Sequence, residues 1–302
     1  MIRDVKGIAD AFVDGRWGIS RFIKTSASIA DDGMWFDWSY TGGQPGYDAR
    51  IGVAYSLTPF VAQRNDAIFL PTVPSDMSLY LTGLNLYKLA SGSDQISVNF
   101  MLYDLVAVYP LIDGDSTDLQ EMDNTESLPR YTDGRGLEMV LVNHVAPASS
   151  SGSAHTLVYE DAAGVEQTVT FSAHSGVVGR VCSRIHIPTG NQFATLGEHG
   201  SPFLRQAAGS AHGVRKIKSV QFSATLGGLW AIYLVKPLAQ ITDMAGAAGV
   251  NLTVTTTTCF CIDGSFVMPK IEPGAWLGFF YQPQGGGKSV SRMYGVLTYC
   301  WG

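Results

Sequence analysis

Acidic side chains are concentrated in one stretch, residues 109–136, which holds seven carboxylates in 28 residues. Asp113, Asp115 and Asp118 have the spacing D-x-D-x-x-D, which resembles a calcium loop. The EF-hand pattern, however, requires glycine at its sixth position and glutamate at its twelfth, where this chain has Asp118 and Asn124. A catalytic carboxylate pair would need two unlike environments, which the stretch does not indicate. We favour a solvated loop that caps its own turns and keep an irregular calcium site as the alternative.

Other short motifs fail on spacing. Gly287-Lys288-Ser289 resembles the end of a phosphate-binding loop, but that motif needs glycine five residues before Gly287 and a helix afterwards. Gln282 occupies that position, and residues 289–301 have the pattern of a strand. The six histidines show no HxxxH or HExxH spacing, and no serine lies in a GxSxG elbow. The sequence therefore predicts that the protein is not an enzyme and has no cofactor.

Cysteine usage also argues against a metal or redox centre. No pair has the two-residue spacing of a zinc knuckle or a thioredoxin-like site. Buried, reduced thiols are therefore expected. The four cysteines are Cys182, Cys259, Cys261 and Cys300.

The composition favours contacts with other protein chains. Charged residues make up 15% of the 302 residues, below the roughly 25% that is usual for soluble domains. The surface must therefore consist largely of Ser, Thr, Asn, Gln and Gly. A net charge of -6 with scattered basic residues gives no electrostatic reason for nucleic-acid binding. No apolar run approaches the roughly 20 residues that span a bilayer, and the N-terminus does not resemble a signal peptide, so neither a membrane nor export is expected.

The first residues have the periodicity of an amphipathic helix. Ile2, Val5, Ile8 and Phe12 recur at three- and four-residue spacing, and Gly15 follows as a stop signal. The apolar face of this helix needs a partner. That partner is either the protein's own sheet or a neighbouring subunit, and these four residues are therefore candidate interface residues.

A second candidate interface lies in an aromatic stretch, residues 33–47. Trp35, Trp38, Tyr40 and Tyr47 are interspersed with glycine and proline, which indicates a strand, an exposed loop and another strand. Such a loop could stack on sugars. Large amphipathic aromatic side chains more often pack or lie at subunit interfaces.

The remainder of the chain has the period-two pattern of strands with recurrent turn signals. Because no clear helix alternates with them, we predict an all-β fold, an antiparallel β-sandwich that is jelly-roll-like, with a short N-terminal helix or arm. The arm is assigned to residues 1–30 and the sandwich to residues 31–302, with a possible division near 146–154. The predicted strands are 77–86, 96–109, 137–145, 156–160, 165–171, 217–226, 228–235, 250–261, 275–281 and 289–301.

Two local hairpins are predicted. In residues 157–171 two β-rich arms flank Asp161-Ala-Ala-Gly164, where glycine suits a positive φ. In residues 219–235 Gly227-Gly228 has the form of a two-residue turn. The second arm of this hairpin is apolar on both faces, so it is expected to be covered on both sides.

Residues 112–118, 122–125 and 128–134 follow a predicted strand that ends in Tyr109-Pro110. The N-terminal helical stretch, the aromatic stretch around Trp35 and residues 234–238 belong to the same set of sequence pieces. These pieces resemble segments of virion structural proteins of tailed bacteriophages, of the capsid decoration or cement type. No piece encodes a chemistry.

The resemblance implies a sandwich that binds the outer surface of a capsid and holds neighbouring capsomers together, commonly as a homotrimer. The implied partners are the major capsid protein or other virion proteins, and the implied location is the virion, assembled in the cytoplasm of a bacterial host. Under this hypothesis residues 109–136 form a long crossover whose shape Pro129 and Gly134 fix. The alternative is a tail or spike component, or a carbohydrate-binding (receptor-binding) β-sandwich module that uses Trp35, Trp38 and Tyr47 with Tyr40.

Overall fold

The architecture was taken from a computed structural model. It describes residues 2, 5–25, 35–37, 54–61, 68–90, 97–145, 151–173, 183–185, 202–243, 252–257, 268–284 and 290–302. The described elements in chain order are α1 (Val5–Val13), β1 (Trp17–Thr25), β2 (Trp35–Asp37), β3 (Thr58–Pro59), β4 (Leu79–Ala90), β5 (Ser97–Asp113), β6 (Gln120–Glu121), β7 (Glu138–Asn143), β8 (Ser151–Asp161), β9 (Glu166–Ala173), β10 (Ser183–Ile185), β11 (Val214–Gln221), β12 (Leu229–Asp243), β13 (Leu252–Thr257), β14 (Lys270–Ile271), β15 (Leu277–Gln284) and β16 (Val290–Trp301).

The strands form three antiparallel sheets. Sheet I has the order β1-β16-β4-β13, with β14 beside β4. Sheet II has the order β12-β7-β10-β2-β15-β5-β3, and sheet III has the order β6-β11-β8-β9. The predicted all-β, antiparallel sandwich architecture with a short N-terminal helix is therefore confirmed.

Sheet II curls until it closes on itself. Strand β5 pairs with β15 through residues 97–104 and with β12 along nearly its whole length, so six strands complete a ring of pairings. Side chains alternate along β5 because successive residues of a strand point to opposite faces. Met101, Tyr103 and Leu105 belong to an inner core enclosed by the ring. Strands β5 and β12 pair side by side in this ring and are its longest strands.

Sheets I and III cover the outside of this ring. The first core joins Leu84 and Leu297 of sheet I to Phe279 of sheet II. The second core joins Ile217 of sheet III to Ile232 of sheet II. Each interface removes apolar surface from water, which stabilises the fold by roughly 25 cal/mol for every Å² buried. This burial is the main stabilising contribution of such layers.

Strand β12 is covered on both faces, as its sequence predicts. Trp230, Ile232 and Leu234 lie in the second core, and Ala231, Tyr233 and Val235 lie in the inner core. All six side chains are buried.

The hairpin predicted at residues 157–171 is confirmed as β8–β9. Glu160 pairs with Glu166 at its tip, and Gly164 has a φ of 81°. The carboxylate of Asp161 closes the turn, because its Oδ1 accepts the backbone N–H groups of Ala163 and Val165 at 2.9 and 3.0 Å. These bonds lower the pKa of Asp161.

The hairpin predicted at residues 219–235 is wrong. Strand β11 pairs with β8 and β6 in sheet III, whereas β12 pairs with β7 and β5 in sheet II. Gly227 and Gly228 do have positive φ, but they turn the chain from one sheet to the other. The N–H groups of Leu226 and Gly227 donate to the carbonyl of Gly114, which holds this crossover (residues 222–228) against the end of β5.

A buried ion pair lies between the first and second cores. Asp104 on β5 is two residues from Leu102 of the first core and two from Val106 of the second. The guanidinium of Arg130 donates to both carboxylate oxygens of Asp104, at 2.6 and 2.5 Å. Burial raises the pKa of Asp104, and the guanidinium opposes that shift. Residues 109–136 are therefore attached to the central strand rather than merely solvated.

Strand β1 lies within the part of the chain assigned to an N-terminal arm. It pairs with β16 over nine residues, from Trp17 opposite Cys300 to Thr25 opposite Arg292. The division into residues 1–30 and 31–302, and the possible division near 146–154, stay predictions. None of the helices among the described residues is long and apolar enough to cross a membrane.

Candidate interaction surface

The outward side of β1 is apolar. Alternation places Ser20, Phe22 and Lys24 on the buried side of sheet I, toward the first core. Trp17, Ile19 and Ile23 point the other way and retain 46, 46 and 39% of their accessible surface. From Trp17 to Ile23 the strand extends about 20 Å at 3.3 Å per residue. Three of the four outward side chains over this length are apolar, and the fourth is the charged side chain of Arg21.

Helix α1 extends this apolar side. The aromatic ring of Phe12 stacks on that of Trp17 with a centroid distance of 5.7 Å, and Val13 is 86% exposed. Gly15, with a φ of 70°, ends the helix and lets the chain turn directly into β1. Across the strand pair, Ile23 lies opposite Tyr294, which is also exposed.

We call these six residues the apolar strip: Phe12, Val13, Trp17, Ile19, Ile23 and Tyr294. Arg21 is the charged side chain on the outward side of β1 and lies between Ile19 and Ile23. Single exposed apolar residues are normal on a protein surface, but a contiguous group marks a site of contact with another molecule.

The strip also lies at the edge of a sheet. Among the described residues, β1 is the last strand of sheet I and pairs with β16 on one side. An edge strand presents unpaired N–H and C=O groups to which another chain can add. Soluble proteins usually protect such an edge with charge, proline or a bulge. Here Arg21 supplies the charge on the outward side, because Lys24 is buried.

The helix packs on the protein's own sheet, the first of the two partners considered for it. Ile2 and Ala11 are buried against Tyr80 and Cys300 of sheet I, with Ile8 half-buried beside them. Burial of Cys300 agrees with the prediction for that thiol. Cys182, Cys259 and Cys261 lie outside the described residues.

The predicted interface residues separate into different environments. Ile2 is buried, Ile8 is half-buried and Phe12 is exposed on the apolar strip. Trp35 is 2% exposed within the inner core, which leaves its side chain no surface for a partner. The side chain of Val5 and residues Trp38, Tyr40 and Tyr47 lie outside the described part of the chain.

The acidic stretch caps its own turns. The Oδ1 atom of Asp113 accepts the N–H of Asp115, that of Asp123 accepts the N–H of Thr125, and that of Asp133 accepts the N–H of Arg135. These are the local side-chain to backbone bonds that aspartate forms in loops. Within the described ranges, no group of three His, Cys, Asp or Glu side chains could hold a metal ion.

A cluster of titratable groups lies where residues 202–213 meet β7 and β12. Glu138 accepts a hydrogen bond from Gln206 Nε2 at 2.9 Å, and His212 Nε2 lies 3.4 Å from its other oxygen. Burial raises the pKa of Glu138 and lowers the pKa of Lys236, and each charge opposes the shift of the other. Titratable groups with shifted pKa values occur both at catalytic sites and in structural ion pairs. Here Glu138 on β7 interacts with Gln206, His212 and Lys236, which lie on other segments of the chain. The cluster therefore has the arrangement of a structural ion pair.

A groove of about 720 Å³ lies beside sheet I, between residues 68–79 and 270–275. Phe69 is 61% exposed at its edge, and its backbone carbonyl accepts a hydrogen bond from the hydroxyl of Ser20 on β1. Lys270 and Glu272 on the other wall form an ion pair at 2.9 Å. A groove of this kind could take a small ligand.

No protein-family model and no curated protein matches the chain. Three solved structures of infectious bursal disease virus align with nearly all of it. The VP2 subviral particle gives 10% identity, 94% coverage of this chain, 80% of that chain and a TM-score of 0.19. The Gt strain gives 10%, 95%, 81% and 0.18, and the T13 viral particle gives 11%, 94%, 77% and 0.18. Likeness at such TM-scores carries no inference about this chain.

Proposed function

We propose that the chain is a non-enzymatic structural protein of a virion, a capsid decoration or cement protein that binds the outer capsid surface and stabilises contacts between capsomers. The observation that carries this proposal is the apolar strip along the edge of sheet I. Its partners are the major capsid protein or other virion proteins, with further copies of itself.

The apolar strip supports a contact surface on physical grounds. Trp17, Phe12 and Tyr294 are large side chains with rigid rings, the kind that contributes most of the binding energy at interfaces. They lie with Ile19 and Ile23 on regular elements, so little conformational entropy is lost when a partner covers them. A chain that exposed this strip and edge permanently would tend to aggregate.

The sequence supports the virion assignment in two further ways. Residues 109–136 resemble segments of tailed-phage virion proteins, and the low charged fraction of 15% suits extensive uncharged contacts. A homotrimer is favoured by the same resemblance. About a threefold axis the strip of one copy would meet a different surface of the next copy, as in any heterologous ring. By the same resemblance, the proposed place of assembly is the cytoplasm of a bacterial host.

The test is binding to undecorated shells of the virion from which the chain derives. Wild-type protein is expected to co-sediment with the shells. The Ile19→Lys/Ile23→Lys variant is expected to bind at least about tenfold more weakly, because two charges must be desolvated in the contact.

The control is Val165→Lys, which changes another exposed aliphatic residue (54%) at the tip of the β8–β9 hairpin and should bind like wild type. Failure of the wild-type protein to bind shells would refute the proposed function. Equal binding by the strip variant would refute the assignment of the strip.

A second function, that of a carbohydrate-binding (receptor-binding) tail or spike module, rests on the groove beside Phe69. Exposed aromatic rings next to a groove can stack on sugars. Glycan-array binding that is lost on Phe69→Ala, and not on Tyr294→Ala, would favour this function over capsid decoration. Binding lost on Trp38→Ala would instead place the platform in the aromatic stretch.

A further inference from the structure

A buried histidine packs against the second core. His155 on β8 has no accessible surface, and its ring centroid is 5.3 Å from those of both Phe171 and Phe222. A buried polar ring is expected to have a hydrogen-bond partner. The partner of His155 is Ser223, the second residue of the crossover 222–228.

The hydrogen bonds fix the protonation state of the ring. The backbone N–H of Ser223 donates to Nδ1 of His155 at 3.1 Å, and the Ser223 hydroxyl lies 3.3 Å from the same atom. Nδ1 is therefore the acceptor, so the single proton of the neutral ring is on Nε2. Among the described residues, Nε2 has no hydrogen-bond partner.

We propose that protonation of His155 releases the crossover 222–228 from sheet III, which makes the contact an acid-sensitive latch between sheets II and III. The second proton of a histidine ring must go on Nδ1. The N–H of Ser223 already points at that atom, so two donors would face each other. Protonation and the Ser223 hydrogen bond therefore exclude one another.

Release of the latch would affect the crossover and the aromatic packing next to it. The crossover is held at its other end by the N–H groups of Leu226 and Gly227, which donate to Gly114 at 2.7 and 3.0 Å. The Phe222 ring, next to Ser223, contacts that of Trp230 in the second core at 6.1 Å. Release at Ser223 therefore loosens the first half of the crossover and the Phe222 ring beside it.

The surrounding elements supply no counter-ion for a charged ring in the described part of the chain. Residues 222–228 are uncharged, and burial is the cause that lowers the pKa of His155. Glu160 on β8 is five residues away, or roughly 17 Å along the strand. It pairs with Lys216, while Glu166 on β9 pairs with Lys218 on β11.

Two other titratable groups complete this environment. Asp161 on β8 accepts the hydrogen bonds of its hairpin turn, at the end of the strand away from His155. His144 follows β7, its ring hydrogen-bonds the Tyr233 hydroxyl and its backbone N–H donates to Leu229, just after the crossover. The experiment must separate His144 from His155.

The sign of the pH effect follows from linkage. The folded state resists protonation of His155, whereas the opened state titrates near 6.5. The equilibrium for opening of the crossover is thus nearly independent of pH around neutrality. It shifts toward the opened state as the pH falls below about 6.5. Between pH 7.5 and 5.0 the opening equilibrium rises by at most about 30-fold if the closed state takes up no proton.

The test is hydrogen–deuterium exchange at pH 7.5 and 5.0, corrected for intrinsic exchange. Residues 222–226 of the wild type should exchange up to about 30-fold faster at pH 5.0, and the β12 segment should change less. His155→Asn keeps an acceptor near the Nδ1 position but cannot titrate, so its crossover should show no such increase. His144→Asn should behave like wild type there.

An increase that persists in His155→Asn, or that disappears in His144→Asn, would overturn the proposal. Should the Asn variant fail to fold, ¹⁵N NMR of the wild-type histidines decides. The latch is supported if Nδ1 of His155 keeps the ¹⁵N chemical shift of an unprotonated acceptor until the crossover opens. Titration of the His155 ring near pH 6.5 in the folded state contradicts the latch.

Discussion

Replacement of Arg130 by methionine removes one member of the buried ion pair while retaining an apolar stem of similar length. In the wild type, Arg130 Nε and Nη2 donate to the two oxygens of Asp104 at 2.6 and 2.5 Å. Nη1 donates to the carbonyl of Phe60, and Nη2 also donates to that of Leu105, both at 2.6 Å. The variant leaves Asp104 with one described donor, the N–H of Trp276 at 2.9 Å.

The expected cost is about 3 to 5 kcal/mol in the free energy of unfolding, because a buried carboxylate loses its counter-ion. At roughly 2 °C per kcal/mol for a chain of this length, the Tm should fall by about 6 to 10 °C. The deficit should shrink at low pH. Without the guanidinium the pKa of Asp104 in the folded state lies above its unfolded value, so protonation relieves the cost as the pH falls.

The assay is urea unfolding followed by tryptophan fluorescence, arranged as a double-mutant cycle. Asp104→Asn is the second single variant, because asparagine can still accept the N–H of Trp276. The two single changes should couple strongly, so that the double variant costs clearly less than their sum. A cost below about 1 kcal/mol for Arg130→Met, or additive single costs, would refute the role assigned to the pair.

Three other predictions concern local packing and titration. Gly295→Ala should cost about 1 to 3 kcal/mol, because a new Cβ would overlap the ring of Phe22, whereas Gly83→Ala meets ordinary 3.7 Å contacts and should cost far less; equal costs in thermal unfolding would contradict this. Asp161→Ala should raise amide exchange in the β8–β9 turn, and the difference from wild type should vanish as the pH falls through the lowered pKa of Asp161; an unchanged turn would contradict it. Burial lowers the pKa of His144 to about 4, so this residue should lower the unfolding free energy by at most about 3 kcal/mol between pH 6.5 and 4; in urea titrations His144→Gln should remove this contribution and leave that of His155, and an unchanged pH dependence would contradict it.

Local signals in the sequence were sufficient for some elements. The double-sided apolar pattern of residues 229–235 predicts a strand covered on both faces, and β12 is such a strand. In residues 157–171, Gly164 and the β-rich arms predict the observed hairpin. In both cases the informative signal lies in one short stretch of sequence, where periodicity and turn chemistry apply.

Longer-range features could not be predicted in the same way. Gly227-Gly228 has the chemistry of a hairpin turn, but pairing partners elsewhere in the chain decide that β11 and β12 belong to different sheets. The closure of sheet II depends on β5 pairing with β12, more than 100 residues later. The partner of Arg130 is equally hidden, since Asp104 lies within an apolar run and no spacing connects the two.

The apolar strip had a usable signal in the sequence. Trp17, Ile19 and Ile23 follow period two, which is typical of a strand with one apolar side. Whether that side meets solvent or a partner is not encoded in the period. For Trp35, the sequence left packing and an interface as alternatives, and its side chain is buried in the inner core.

The central claim is that the apolar strip is covered by a neighbouring copy of the chain, and that the trimer formed in this way is what binds the capsid shell. Sedimentation velocity at high micromolar concentration tests it most directly, with wild type, Ile19→Lys/Ile23→Lys and Val165→Lys compared. Wild type and Val165→Lys are predicted to sediment as trimers of the 32.4 kDa chain, and the strip variant as a monomer. A wild type that stays monomeric throughout, or a strip variant that still forms the trimer, would contradict the account.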